Sequence, residues 1–459
     1  MKLPFLDRGE ETARLTRLVE SREGALGVLY GRRRCGKSRL LREVLPVERS
    51  IYYVGDEREG ALQRTSLAAE IARLLPGFDR VTYPDWDSLL SRFWSEANPG
   101  TALILDELPA LVAAARELPS VLQKHVDRYP ERGLHLLLAG SSQRMMQGLV
   151  LDRTAPLFGR AREILKIAPL RAGWIETALN LDDPVRSIEA YAVWGGVPRY
   201  WELAGDHPDL ATAVRSLVLS PLGVLYDEPS RLLVDDLRDT AQATSILALI
   251  GQGCHRISEI AARLGKPATS LARPLERLIE MGLVARETPF GSSVRSSKRN
   301  LYRITDPFLR YWFRFVQPDR SRLEARQTAA VERDIAARFS HHVGEVWEEL
   351  ARESVPVLDL FGKTWGPAGR WWGPGLDRQP LEVDLVAESL EQDALLVGEV
   401  KWTSPDDPDR LLQELERKAA RLPFAAGRKI FMMLWLKEPV RGKASRQVIA
   451  PQQVLAGLR

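Results

Sequence analysis

At 459 residues the chain is longer than the roughly 100–200 residues of one typical domain, so the sequence predicts about three separate cores. Its 45% apolar and 27% charged residues exclude the composition of a disordered chain. A net charge of +4 is too small to indicate a polyanionic partner, and two cysteines cannot build a disulfide framework or a thiolate zinc site. No apolar run approaches the roughly 18 residues of a membrane span, so we expect a soluble, cytoplasmic protein that does not bind a membrane.

The first third of the chain alternates short apolar runs with helical patterns. Strands that alternate with helices predict an α/β fold with a mostly parallel, doubly wound sheet. The strand-like runs cover 27–30, 51–54, 102–105 and 134–139. We assign residues 1–169 to this first domain.

A glycine-rich motif follows the first strand and opens a helix. It consists of Gly31, Arg32, Arg33, Arg34, Cys35, Gly36, Lys37 and Ser38, and Arg39 comes next. The spacing fits the phosphate-binding loop G-x-x-x-x-G-K-[ST], in which the glycines and the helix N-terminus bring backbone N–H groups to phosphate oxygens. Lys37 would supply a charge to the β and γ phosphates of ATP, and Ser38 a hydroxyl to Mg²⁺.

An apolar strand at 103–105 delivers Asp106 and Glu107 to its C-terminal end, where open α/β sheets bind ligands. We expect Asp106 to hold the Mg²⁺ shell and Glu107 to polarise the attacking water. Either motif alone could be a glycine turn or the acidic end of a buried strand. Both together, in order and on strands, predict a P-loop ATPase core.

The strand-like run 134–139 ends in two hydroxyls, Ser141 and Ser142. They could face the γ-phosphate or its water, or they could cap a helix that begins near Gln143. The sequence leaves both readings open.

Residues 170–235 are helical with Pro and Gly punctuation and predict a small helical lid. Residues 236–320 show three helices and a hairpin, with Ser258 as an N-cap and Gly265 as a stop, the layout of a winged helix-turn-helix. Basic residues on its third helix and wing suit DNA phosphates, although the domain could instead pack against the ATPase core. These residues are Arg273, Arg277, Arg295, Lys298 and Arg299.

The chain resembles the archaeal-type family of P-loop ATPases, which is related to AAA+ and STAND ATPases. The resemblance lies in the phosphate loop, the Asp106 strand and the following segments, whose motifs cover 5–8, 30–34, 105–107, 140–142, 158–160, 194–200 and 306–315. It implies that Pro198 packs near the nucleotide base and that Arg160 senses the γ-phosphate. A helix-linking turn and a surface ion pair are the respective alternatives.

The last region, 321–459, carries two carboxylates and a lysine on strand-like runs. Glu399 and Lys401 are two apart and share a strand face, and Asp384 on the preceding run can join them. The arrangement resembles the PD-(D/E)xK nuclease superfamily, which implies that Glu348, Asp384 and Glu399 bind a divalent metal and that Lys401 is catalytic. An ion pair on an ordinary strand is the alternative, and a nuclease-like fold does not guarantee cleavage.

Two functions follow from these patterns. The first is an ATPase that couples ATP hydrolysis to DNA binding or processing through the winged helix and the nuclease-like domain. The second is a nucleotide-controlled switch that binds a protein partner or a second copy of the chain and carries an inactive nuclease-like docking domain.

Overall fold

The computed structural model describes residues 3–236, 240–292, 299–404, 407–440 and 446–459. The chain forms two compact units, residues 7–169 and residues 1–6 together with 170–459. Within the described ranges, every helix is too short or too polar to cross a membrane.

The 7–169 unit is built on a five-stranded, fully parallel sheet. Its strands are β1 Leu26–Tyr30, β2 Ser50–Val54, β3 Ala102–Asp106, β4 His135–Gly140 and β5 Ala161–Lys166, in the order β2-β3-β4-β1-β5. Its helices are α1 Gly9–Val19, α2 Lys37–Val44, α3 Gly60–Ile71, α4 Trp86–Glu96, α5 Leu108–Ala114, α6 Leu118–Arg128 and α7 Gln143–Met146. The predicted α/β class and parallel sheet are confirmed.

Helix α4 shows how the local sequence builds this unit. The Asp85 side chain accepts a hydrogen bond from the Ser88 N–H, which satisfies one of the unpaired donors at a helix start. Trp86, Leu90 and Phe93 then recur at helical spacing and are fully buried against one face of the sheet. Sequence periodicity therefore decides which side of the helix enters the core.

The sheet order decides where the candidate site lies. In parallel strands all carboxyl ends meet at one edge, and β4 lies between β1 and β3. The phosphate loop after β1, the acidic pair at the end of β3 and the serines after β4 therefore share that edge.

The second unit begins with helices. These are α8 Ile175–Leu179, α9 Pro184–Trp194, α10 Pro198–Ala204, α11 Leu210–Val214, α12 Glu228–Asp236, α13 Thr240–Gly251, α14 Ile257–Leu264 and α15 Ala268–Glu280. An antiparallel hairpin follows, with strands β6 Val284–Glu287 and β7 Leu301–Ile304, and then helices α16 Pro307–Tyr311, α17 Arg320–Glu324 and α18 Thr328–Ser354.

Helix α14 begins two residues earlier than a cap at Ser258 would allow, so the predicted cap is wrong. Arg256 is the residue before the helix, and its N–H donates to the Glu259 carboxylate at 3.0 Å. Gly265 ends the helix with φ +62°, a left-handed conformation that glycine adopts without strain, as predicted.

The C-terminal part of this unit is a mixed sheet with two helices. Strands β8 Gly369–Pro374, β9 Pro380–Glu388, β10 Ala394–Lys401, β11 Lys429–Leu436 and β12 Val448–Ile449 lie in the order β12-β11-β10-β9-β8. Strands β10 to β12 are parallel, whereas β8, β9 and β10 pair antiparallel. The helices are α19 Pro408–Ala420 and α20 Pro451–Gly457.

One hydrophobic core crosses two of the predicted domain boundaries. Ile188 and Ala192 of α9 are buried in the same cluster as Val343 and Trp347 of α18. Part of the predicted lid therefore packs with the predicted C-terminal domain. The division into 170–235, 236–320 and 321–459 stays a prediction.

Candidate nucleotide site and C-terminal carboxylate cluster

The phosphate loop is held in a conformation that requires its glycines. Gly31 has φ +146°, and a Cβ there would lie 2.3 Å from the Ile167 carbonyl oxygen. Gly36 has φ +91° and directly precedes α2, whose first residue is Lys37. The loop thus leads into a helix N-terminus, where backbone N–H groups favour negative charge.

Lys37 is folded back over this loop. Its ammonium donates to the carbonyl oxygens of Gly31 at 2.7 Å and Arg32 at 3.0 Å, and the residue is only 5% exposed. Burial lowers the pKa of Lys37, while the charges of Glu107 and Asp106 act in the opposite direction. The lysine already lies within the loop that would surround a phosphate.

Ser38 and Asp106 lie together. The Ser38 hydroxyl donates to Asp106 Oδ2 at 2.6 Å, and the Glu107 N–H donates to Oδ1 at 2.9 Å. Hydroxyl and carboxylate oxygens are hard ligands of the kind that Mg²⁺ prefers. The donor set therefore fits a magnesium ion.

Glu107 has left-handed backbone angles, φ 51° and ψ 45°, directly before α5. This conformation is uncommon for a residue other than glycine. Its carboxylate accepts from the Ser141 hydroxyl at 2.9 Å and the Ser141 N–H at 3.4 Å. The Arg33 side chain donates to the same hydroxyl at 3.4 Å, so Ser141 connects the loop with Glu107.

The second serine has the other role that the sequence left open. The Ser142 hydroxyl accepts from the Met145 N–H at 3.3 Å, and α7 begins at the next residue. This is the geometry of an N-cap. Ser141 and Ser142 thus differ in their contacts.

Arg8 contacts the backbone of the phosphate loop, and the sequence patterns did not predict this contact. Its buried guanidinium donates to the carbonyl oxygens of Cys35 at 3.2 Å and Ala168 at 2.5 Å, and to Glu11 at 3.0 Å. The signal was present, because Arg8 ends one of the motifs that carry the family resemblance. Its long-range partners were not visible in the sequence.

Arg160 and Pro198 are placed differently from the loop residues. The Arg160 guanidinium binds both oxygens of Asp127, at 2.6 and 2.8 Å, which is the ion pair weighed as the alternative to γ-phosphate sensing. Pro198 is the first residue of α10 and follows Val197, as in a helix-linking turn. Their roles toward a nucleotide stay predictions, as does the role of Arg39, which lies 3.6 Å from Glu43.

The C-terminal carboxylates are adjacent and are neutralised by lysines. Lys401 Nζ lies 3.3 Å from Asp384 Oδ2 and 2.7 Å from Glu399 Oε1. Lys418 of α19, which sequence reasoning did not single out, takes the other oxygen of Glu399 at 2.7 Å. Burial alone would lower the pKa of Lys401, yet the two carboxylates raise it above its ordinary value.

Glu348 is close to this cluster through Arg352. Arg352 Nη1 lies 3.5 Å from Glu348 Oε2 and donates to the Asp384 carbonyl at 2.9 Å. Burial and the nearby Asp384 charge raise the pKa of Glu348 to about 7. Over the part of the chain that the structure describes, no group of three or more His, Cys, Asp or Glu residues is arranged to hold a metal. Lys401 contacts Asp384 Oδ2, and Lys401 and Lys418 between them contact both oxygens of Glu399, so a metal would have to displace these ammonium groups. Metal binding by Glu348, Asp384 and Glu399 stays a prediction.

The basic residues predicted for DNA contact are divided. Arg273 and Arg277 are exposed on α15, opposite its buried leucines. Arg295 and Lys298 lie outside the described residues. Arg299 instead packs on β8: it donates to the Trp372 carbonyl at 3.1 Å, and its guanidinium lies 5.3 Å from the Trp371 ring centroid. Its contact with DNA phosphates stays a prediction, although its side chain is already engaged with these two tryptophans.

Comparisons with known proteins agree with the parallel-sheet site. Residues 5–208 match the model of an ATPase domain found predominantly in Archaea, and residues 312–420 match a family of archaeal and bacterial proteins of unknown function. An uncharacterized protein of Methanocaldococcus jannaschii is 28% identical over 425 residues, 90% of this chain and 92% of its own. A Walker-type ATPase of Pyrococcus abyssi, with a solved structure, is 21% identical and aligns with a TM-score of 0.52 over 67% of this chain and 95% of its own.

The last similarity shows a shared fold, and the family models give the assignment of each segment. The chain therefore contains an archaeal-type P-loop ATPase domain over residues 5–208 and, over residues 312–420, a domain shared with archaeal and bacterial proteins of unknown function.

Proposed function

We propose that the chain binds ATP with Mg²⁺ in the 7–169 unit and hydrolyses it. The observation that carries this proposal is the 2.6 Å contact between Ser38 and Asp106 beside a phosphate loop that contains Lys37. A hydroxyl, a carboxylate and an ammonium meet at the sheet edge where α/β folds bind ligands.

Binding begins with the loop. The Lys37 ammonium, now hydrogen-bonded to loop carbonyls, is the charge that the β and γ phosphates would attract. The N–H groups at the start of α2 add oriented donors. Arg8 holds the Cys35 carbonyl and keeps the loop in this shape.

Asp106 and Glu107 have different roles in the proposed hydrolysis. Bound Mg²⁺ would neutralise charge on the phosphates, with Ser38 and Asp106 as its protein partners. Glu107 orients the attacking water and accepts its proton. Ser141 holds the Glu107 carboxylate at 2.9 Å and fixes the direction from which it acts.

The test is direct. The full chain should release phosphate from ATP in the presence of Mg²⁺ and should not do so in EDTA. A chain that binds no ATP would contradict the proposal. If the chain binds ATP but hydrolyses it equally well without the metal, Ser38 and Asp106 do not act as magnesium partners.

We further propose that α13 to α15 and the β6–β7 hairpin act as a winged helix that contacts DNA, so that ATP turnover is coupled to DNA binding. The support is the exposed pair Arg273 and Arg277 on α15. Because Arg299 is engaged with Trp372, the contact surface in this proposal is α15 itself. A gel-shift assay with duplex DNA tests it.

The second candidate function concerns the C-terminal sheet. Asp384 and Glu399 are bridged by Lys401, and Lys418 completes the pairing, which favours a docking domain without metal chemistry over an active nuclease. On this view nucleotide turnover controls binding of a protein partner or of a second copy of the chain. Incubation of DNA with the full chain and Mg²⁺ or Mn²⁺ separates the two, since only a nuclease yields cut products.

A further inference from the structure

Tyr52 makes a contact within the candidate magnesium site that no sequence motif indicates. It lies half-buried on β2, the neighbour of the strand that ends in Asp106. Its phenol hydroxyl donates to Asp106 Oδ2, the oxygen that also accepts from the Ser38 hydroxyl. With the Glu107 N–H on Oδ1, three donors hold one carboxylate from three different elements.

The Tyr52 ring is itself held in place. The Arg42 guanidinium of α2 lies over it, 4.6 Å from the ring centroid. Facing a carboxylate that has no proton to give, the phenol hydroxyl is the donor of this hydrogen bond. The same helix that begins with Lys37 thus also fixes the partner of Asp106.

We infer that Tyr52 is a positioning residue that holds Asp106 in the orientation needed to bind Mg²⁺ with the nucleotide, an inference that rests on the proposed ATPase function. Groups that hydrogen-bond to metal-binding carboxylates set their direction, and their loss commonly weakens metal affinity by about 10–100-fold. A carboxylate that is ordered before the ion arrives loses less conformational freedom on binding.

The neighbouring residue supplies a matched control. Tyr53 is the next residue of the same strand and is buried on the opposite face of the sheet. Its hydroxyl interacts with Arg58 and Asp56, and Asp106 is not among its partners. Tyr53→Phe therefore removes the same atom from the same strand without touching Asp106.

The experiment measures the affinity of the full chain for a non-hydrolysable ATP analogue with Mg²⁺ and again in EDTA. In Tyr52→Phe the gain in affinity given by Mg²⁺ should shrink by about tenfold, while the affinity in EDTA stays the same. Tyr53→Phe should leave both affinities unchanged. Tyr52→His, which keeps a ring and a donor, should recover part of the gain.

The outcomes separate this inference from the function on which it rests. If wild-type affinity does not depend on Mg²⁺, the proposed function fails, and the Tyr52 role fails with it. If the wild type responds to Mg²⁺ and Tyr52→Phe responds equally, only the Tyr52 role is overturned. An equal loss of affinity with and without Mg²⁺ would also overturn it, because that result indicates damage to the fold rather than to ion binding.

Discussion

The Glu107 carboxylate accepts a 2.9 Å hydrogen bond from the Ser141 hydroxyl, which joins the acidic end of β3 to the residue after β4. This contact orients the group that we propose as the general base. The first prediction follows from this contact: substitution of Glu107 and substitution of Ser141 should slow ATP hydrolysis to different extents.

Glu107→Gln should leave ATP binding intact and slow hydrolysis by about a hundredfold or more, since an amide cannot accept the proton of the attacking water. Ser141→Ala should slow it less, because the carboxylate remains but is no longer held. Phosphate release and analogue binding measured side by side test both variants. Loss of binding in Glu107→Gln would make Glu107 a structural residue instead.

Lys37→Ala should abolish tight ATP binding, because it removes the ammonium that lies 2.7 Å from the Gly31 carbonyl, within the phosphate loop. The matched control is Lys124→Ala, which breaks an exposed pair with Asp87 in the same unit and should leave ATP affinity unchanged. Equilibrium binding of a fluorescent ATP analogue measures both. Near-normal affinity in Lys37→Ala would remove the nucleotide site from this loop.

Duplex DNA affinity should fall steeply with salt and should weaken in the Arg273→Ala/Arg277→Ala double variant, because each phosphate contact releases counterions. The charge-matched control is Arg186→Ala/Arg333→Ala, which removes two exposed arginines from α9 and α18. A salt series of gel shifts distinguishes the two pairs. Equal weakening by both pairs would show that general charge, rather than α15, binds the DNA.

Glu348 predicts a pH-dependent stability. Its folded pKa of about 7 exceeds the ordinary value of 4.5, so the folded state binds the proton more tightly and stability is lost as pH rises from about 4.5 to 7. By linkage the loss amounts to about 3 kcal/mol at most. Glu348→Gln should therefore raise the melting temperature at pH 8 and change it little at pH 4.5, whereas the exposed Glu391→Gln should change it little at either pH. A gain that is equal at both pH values would not come from this ionisation.

Lys401→Met should destabilise the second unit, because it leaves the buried carboxylates of Asp384 and Glu399 facing each other without their shared cation. The Lys401 side chain is 41% exposed and Lys418 still pairs with Glu399, so the cost should be about 1–2 kcal/mol, against less than about 1 kcal/mol for Lys363→Met, which breaks a pair with the exposed Asp393. Melting temperatures measure both. If Mn²⁺ restores the stability of Lys401→Met, the cluster can bind a metal, which supports a nuclease. If Mn²⁺ does not restore it, the result supports a docking domain.

The predictable residues of the site were those that lie close together along the chain. Gly31, Lys37 and Ser38 lie within eight residues, and their spacing alone sets the loop chemistry. Asp106 and Glu107 were found because an apolar strand precedes them. Four of the five parallel strands showed as apolar runs, whereas β5 did not, because alternate residues of this edge strand, such as Arg162 and Ile164, are exposed.

Contacts between distant segments were not predictable. Arg8 reaches Ala168, and Tyr52 reaches Asp106, and in each case the partner is chosen by strand order rather than by local pattern. In the sequence, Lys418 is one of several charged residues on a helix that is expected to face solvent. Only the packing of α19 shows that its ammonium contacts Glu399. The pairing of Lys401 and Lys418 with the carboxylates depends on such packing. The sequence therefore indicated that the carboxylates lie together, but not that two lysines pair with them.

The shared burial of α9 and α18 has a consequence for how the protein is made. Ile188 and Ala192 belong to a core completed by Val343 and Trp347, so a ribosome must add about 150 residues before that apolar face can be covered. At roughly 5–20 residues per second this wait lasts about 8 to 30 seconds. Chains cut after residue 208, where the ATPase family match ends, would keep the face exposed permanently. Fragments of that length should therefore aggregate more readily than the 459-residue chain.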